Sequence, residues 1–133
     1  MQNNEEKNCA QVVLGSFSER LGLDKEKAEA LAAPFGGGRH RGETCGCVNA
    51  ATMVLGLKYG EDKALLAEKV AAFDEAFKDK HGSTQCKEIL GYDFSKPGEL
   101  EKAFESGAIA ENCPKCVADS IAILKDMLDG KNK

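Results

Sequence analysis

Apolar residues recur at intervals of three and four along nearly the whole chain, and the alternation that marks a half-buried strand is missing. This period predicts an all-α domain. Cys9, Val13, Phe17 and Leu21 fall on one stripe, which gives a first helix from about Cys9 to Leu21, with Asn8 as its N-cap and Gly22 as its stop. A second helix follows Asp24 and runs through "KEKAEALAA" until Pro34 and a triple glycine end it. After a loop over 36–43, a third helix spans roughly Cys45 to Tyr59 with Thr44 as cap. Its apolar residues cover almost the whole circumference, which marks it as the buried central helix, and Asn49 is its one strongly polar interior residue. The fourth runs from about Asp62 to Lys80, with Leu66, Val70, Phe73 and Phe77 inward, before His81 and Gly82 end it. A short fifth carries Cys86, Ile89 and Leu90, capped by Ser83 or Thr84 and stopped by Gly91. "SKPGELEKAFESG" gives a sixth, with Ser95 and Pro97 in its first turn and Gly107 at its end. The seventh, capped by Asn112, sets Val117, Ile121, Leu124 and Leu128 on one stripe that Cys113 continues upstream. The expectation is a single-domain bundle of six or seven helices over 1–133, with 1–7 as a flexible lead.

Length and charge narrow the picture. A chain of 133 residues fits one core of ordinary size and needs no staples to fold. Its net charge of −4, with both signs interleaved, offers no basic footprint for nucleic acid and no polybasic face for a membrane. The polar, acidic start lacks the order of a signal peptide, and no apolar run is long enough to span a bilayer, so the expected setting is the cytoplasm. Thiols stay reduced there, and the six cysteines read as metal ligands or redox groups rather than as a disulfide framework.

Where those cysteines fall is more informative than their number. Cys9, Cys45, Cys47, Cys86, Cys113 and Cys116 each lie in the first turn or so of a predicted helix, behind a capping residue. Unpaired N–H groups and about half a positive charge at a helix N-terminus favour thiolate over thiol. The helices concerned are the first, third, fifth and seventh. If consecutive helices alternate in direction, all four cysteine-bearing starts lie at one end of the bundle, where Cys9, Cys45, Cys86 and Cys113 can converge. Four thiolates suit an iron–sulfur cluster or a tetrahedral zinc ion, although one ligand per helix is neither a zinc-ribbon nor a ferredoxin spacing. Cys45-Gly46-Cys47 and Cys113-Pro114-Lys115-Cys116 add a CxC and a CxxC pair, the latter with the local spacing of a redox dithiol. The plainer reading is that each cysteine is a small buried hydrophobe.

The remaining motifs are weaker. "GGGRHRG" follows a helix rather than a strand and has Arg41 where GxGxxG needs its third glycine, which argues against a nucleotide site. Its glycines let the chain approach the sulfurs closely, and Arg39, His40 and Arg41 either add positive charge near Cys45 or form a solvated loop. Gly46 adjoins Cys45, and Asn49 either hydrogen-bonds a sulfur or satisfies a backbone carbonyl. His81 reads as a surface histidine, and no carboxylate pair or Ser-His-Asp set stands out.

Taken together, "NCAQVV", "FGGGRHRGETCGCVNAATMVLGLKYG", "HGSTQCKEILG" and "NCPKCVADSIAIL" resemble the family of redox-active proteins named for its C_GCAxxG_C_C pattern, from about Cys9 to Leu128. The resemblance assigns the four family cysteines to Cys9, Cys45, Cys86 and Cys113, with Gly46 beside Cys45. Cys47 and Ala50 stand where the family usually has Ala and Gly, and Cys116 is an addition. The family is often linked with transporter loci and is related to a domain of split-Soret cytochromes whose cysteines are implicated in iron–sulfur binding. This chain has no C-x-x-C-H for covalent haem.

Three readings stand at this point. The first is a cytoplasmic protein that holds an iron–sulfur cluster or related metal centre on Cys9, Cys45, Cys86 and Cys113 and exchanges electrons with an unidentified donor or acceptor protein. The second is a metal-free thiol–disulfide protein using Cys45 with Cys47 or Cys113 with Cys116. The third is a zinc-stabilised or purely packed interaction domain. Whether the chain is an enzyme is left open by all three, and a homodimer is compatible with each.

Overall fold

The computed structural model describes residues 7–130; the expected flexible lead lies, apart from Lys7, outside the described residues. Among the described residues seven α-helices form an all-α domain: α1 (Cys9–Phe17), α2 (Lys25–Ala32), α3 (Gly46–Tyr59), α4 (Lys63–His81), α5 (Cys86–Leu90), α6 (Glu99–Glu105) and α7 (Ala108–Leu128). Among the described residues there is no strand, and no helix is long and apolar enough to cross a membrane.

The core is the mutual packing of α1, α3, α4 and α7, with α2 laid on α1, α6 on α7, and α5 between α7 and the glycine loop. Val13, Leu14, Val54, Leu55, Phe73, Phe77 and Leu124 are buried at its centre. Local signals set several boundaries as the sequence implies. Asn8 caps α1 in a reciprocal arrangement: its side chain accepts from the Gln11 amide at 3.0 Å, while the Gln11 side chain accepts from the Asn8 amide at 2.9 Å. Asp24 and Asp62 cap α2 and α4. Gly82 and Gly91 end α4 and α5 in the left-handed conformation.

Other boundaries depart from the pattern. The first helix stops at Phe17, and Glu19–Leu21 forms a separate tight turn before Gly22. Helix α3 begins one residue later than expected, with Cys45 rather than Thr44 at the N-cap position. It is not enclosed all round, since Thr52 and Lys58 are exposed and Leu57 is 42% exposed. Gln85, not Ser83 or Thr84, precedes α5, and Ser83 instead accepts the Gln85 amide. Ser95 and Pro97 lie outside α6. The largest difference concerns α7, which starts at Ala108, five residues upstream of the expected start. Gly107 both ends the connection from α6 and opens α7, so Asn112 lies inside the helix, donating to the Ala108 carbonyl. Cys113 and Cys116 are therefore interior residues of α7, and the helix-start argument does not apply to them.

Truncating Phe77, which is fully buried on α4, is expected to cost about 3–5 kcal/mol. Urea unfolding of Phe77→Ala followed by circular dichroism measures it.

Candidate metal and redox centre

Three helices deliver sulfur to one place by different means. The N-cap of α1 puts Cys9 in the first turn. Cys45 stands at the N-cap position of α3, and the side-chain amide of Asn49 donates to the Thr44 carbonyl at 3.3 Å, tying α3 to the loop that presents Cys45. Asn49 thus bonds a carbonyl rather than a sulfur. Cys86 arrives through a two-residue backbone bridge, in which the Cys45 amide donates to the Thr84 carbonyl and the Cys86 amide to the Glu43 carbonyl, both at 2.7 Å. This bridge clamps the segment before α3 to the segment before α5 and sets Cys45 near Cys86.

The sulfurs sort into two layers. Cys9, Cys45, Cys86 and Cys113 line one cavity of about 440 Å³, whose wall also includes Gly36, Gly37 and Gly46 and the apolar side chains of Leu90, Leu100, Phe104 and Ile109. The four cysteines singled out by helix parity thus share one cavity, with Cys113 reaching it from inside α7. Cys47 and Cys116 do not line it and are buried behind it. The tightest set is Cys9, Cys45 and Cys47, whose sulfurs all lie within 4.8 Å of one another.

The glycines have a steric role here. A Cβ on Gly46 would sit 2.7 Å from the Phe35 carbonyl oxygen and 2.8 Å from the Cys9 sulfur, and one on Gly36 would sit 2.7 Å from the Asn8 side chain. Arg39 and Arg41 are exposed.

Charge is distributed unevenly among the thiols. Cys45 is held far below the ordinary thiol range because Cys116, Cys47 and Cys9 direct S–H groups at its sulfur, and the Cys47 amide adds to this against the cost of burial. Cys9 is pushed up to about 12, chiefly by its hydrogen bond to Cys45. Cys86 rises to about 12 and Cys113 to about 11, each mainly through burial and then through the charge on Cys45. Cys47 and Cys116 are raised as well, first by donating to Cys45.

His81 is not the surface residue its position near a helix end implies. Its side chain is 10% exposed, its ring lies 4.6 Å from that of Phe77, and its Nδ1 is 3.8 Å from the Cys116 sulfur. The signal was present in the spacing, since Phe73, Phe77 and His81 recur every fourth residue on the inner face of α4.

A family model described as "Putative redox-active protein (C_GCAxxG_C_C)" matches residues 7–127, and the chain belongs to that family. No curated protein and no solved structure matches it.

Two outcomes follow from this geometry. Gly46→Ala drives a methyl group into the Phe35 backbone and the Cys9 sulfur, so the variant is expected to lose stability and part of its metal affinity, read by thermal melting and metal titration. In metal-free, reduced protein, Cys9, Cys86 and Cys113 titrate above the ordinary thiol value of 9.0, so their stabilisation is complete below pH 9.0 and is lost as pH rises towards 12. Anaerobic melts across that range are expected to fall, and Cys86→Ser is expected to reduce the drop.

Proposed function

We propose that the protein is an electron carrier whose Cys9, Cys45, Cys86 and Cys113 hold an iron–sulfur cluster. The observation that carries this reading is the shared cavity: four cysteines from four helices line one space of about 440 Å³. A single tetrahedral ion bound at about 2.3 Å from each sulfur needs much less room, whereas a cluster carries its own sulfide and iron atoms among the four thiolates. The donor set fits such a group, being all thiol, partly buried and free of competing carboxylates. When bound, the cluster supplies one-electron chemistry.

The chain's own residues would control its charge. Cys47, fully enclosed and close to both Cys9 and Cys45, is placed to donate a hydrogen bond to ligand sulfur, as is Cys116 to Cys45. The starts of α1 and α3 add N–H groups at Cys9 and Cys45. Such donors stabilise the reduced, more negative state and raise the potential. A reducing compartment such as the cytoplasm suits six free thiols, and the redox partner would be another one-electron carrier.

One observation favours a second reading. Cys45 is an ionised thiol whose nearest donors are other thiols, the starting point of a dithiol–disulfide cycle with Cys47.

Anaerobic reconstitution with iron and sulfide, followed by visible spectroscopy and metal analysis, separates these readings. The expected result is a coloured protein containing iron and acid-labile sulfide, with colour lost in Cys86→Ser and Cys113→Ser and kept in Cys47→Ser. A colourless, metal-free product with rapidly alkylated thiols overturns the cluster, and stoichiometric zinc without sulfide replaces it with a structural site. Because ligation needs thiolates and Cys9, Cys86 and Cys113 are held above the ordinary thiol range, loading is expected to release protons and to tighten with pH. Calorimetric titration with zinc in buffers of different ionisation enthalpy counts them.

A further inference from the structure

We infer that His81 is the proton site coupled to the redox state of the cysteine centre: as the centre gains one electron, His81 takes up one proton by way of Asp119. This rests on the electron-carrier reading above and adds to it a named proton acceptor outside the ligand set.

A chain of contacts leaves the cavity from its back. Cys45 lines the cavity; Cys116, behind it on α7, hydrogen-bonds to Cys45. The Cys116 sulfur is 3.8 Å from His81 Nδ1, and His81 Nε2 is 3.0 Å from Asp119 Oδ2. Asp119, one turn along α7 from Cys116, keeps 36% of its side chain exposed, and His81 and Asp119 together line a separate hollow of about 410 Å³ that shares no residue with the cysteine cavity. Sulfur, imidazole and carboxylate thus connect the centre to water on a face other than the cavity mouth.

The form of the last contact matters. Nε2 is buried at ion-pair distance from the carboxylate, which leaves a proton acceptor next to an anion. The groups facing His81 are Cys116, Lys115 and Asp119 from α7, apolar Ile89 from α5, and neighbouring Lys80 on α4 itself. The two lysines oppose an added positive charge. Asp119 and the C-terminal end of α4, where His81 is the last residue, favour it.

The balance is simple. A one-electron donor loses one electron, which the centre gains; one proton leaves solvent, passes Asp119 and ends on His81. Both ring nitrogens then carry hydrogen, with Nε2 3.0 Å from Asp119 Oδ2 and Nδ1 3.8 Å from the Cys116 sulfur, whose own S–H points at Cys45. Each donor in the chain is polarised by the next, and the net charge of the chain with its centre is unchanged. Without the proton, the added electron would stand uncompensated among buried thiolates.

The test is the midpoint potential of the loaded protein as a function of pH, in wild type, His81→Gln, Asp119→Asn and His40→Gln, each checked for native helicity. Because the protonated imidazole favours the reduced centre, the wild-type potential is expected to fall as pH rises through the titration of His81. His81→Gln is expected to lose this fall; Asp119→Asn, at a half-exposed site, is expected to shift it to lower pH, and His40→Gln to leave it unchanged. A second readout is the ring-carbon NMR titration of His81, whose midpoint is expected to lie higher in the reduced than in the oxidised protein. A fall of the same size in His81→Gln, or an identical His81 midpoint in both redox states, overturns the inference while leaving the electron carrier intact. A protein that takes up no centre at all, by iron and sulfide analysis, overturns both.

Discussion

Hydrogen bonding among buried sulfurs around Cys45, which favours its ionisation, organises this end of the bundle. A buried thiolate costs several kcal/mol unless donors surround it, and Cys45 has three thiols directed at it, with an amide and a helix start beside it. Those same interactions hold the protons on the other sulfurs, so ionisation of one cysteine suppresses ionisation of its neighbours.

That concentration of sulfur depends on backbones approaching more closely than side chains ordinarily allow. Gly46 lets the start of α3 pass against Phe35 and the Cys9 sulfur, and Gly36 lets the following loop pass over the Asn8 cap. The loop needs unusual conformations to do so: Gly37, Gly38 and Arg39 all have φ near +62°. At Gly38 a side chain would also strike the Glu43 backbone at 2.5 Å, and Glu43 carries the carbonyl that fixes Cys86. The glycine run, the bridge and the cavity are one construction.

Much of this was legible in the chain itself, for reasons that differ by element. Asn8, Asp24 and Asp62 were readable as caps because capping is local, and α4 because nineteen residues of steady period leave little ambiguity. The gathering of Cys9, Cys45, Cys86 and Cys113 around one cavity was expected from an alternation of helix directions. The accompanying expectation that each sits at a helix start holds for Cys9, Cys45 and Cys86. Cys113 instead lies in the second turn of α7, because Asn112-Cys113-Pro114 imitates a cap followed by a first-turn proline while Gly107 supplies the true start. The Thr44 to Gln85 bridge and the contact of His81 with Cys116 join residues far apart in sequence, and no local signal encodes their distance.

Cys47 and Cys116 are the two cysteines that stay out of the cavity. The family's pattern sets a cysteine directly after a glycine, so that position in this chain is Cys47 after Gly46 and not Cys45, a correction to the alignment read from the sequence; Cys116 lies one turn beyond Cys113, and both are buried and donate to Cys45. An S–H directed at a thiolate stabilises its charge without displacing any ligand, and alanine at 47 would leave the cavity wall intact while removing one such donor. In the proposed electron carrier the four cavity cysteines hold the cluster, and the two additional ones set how readily it accepts an electron. Cys116 has the His81 imidazole beside it, and there the proposed proton path would leave the centre, on the α7 side.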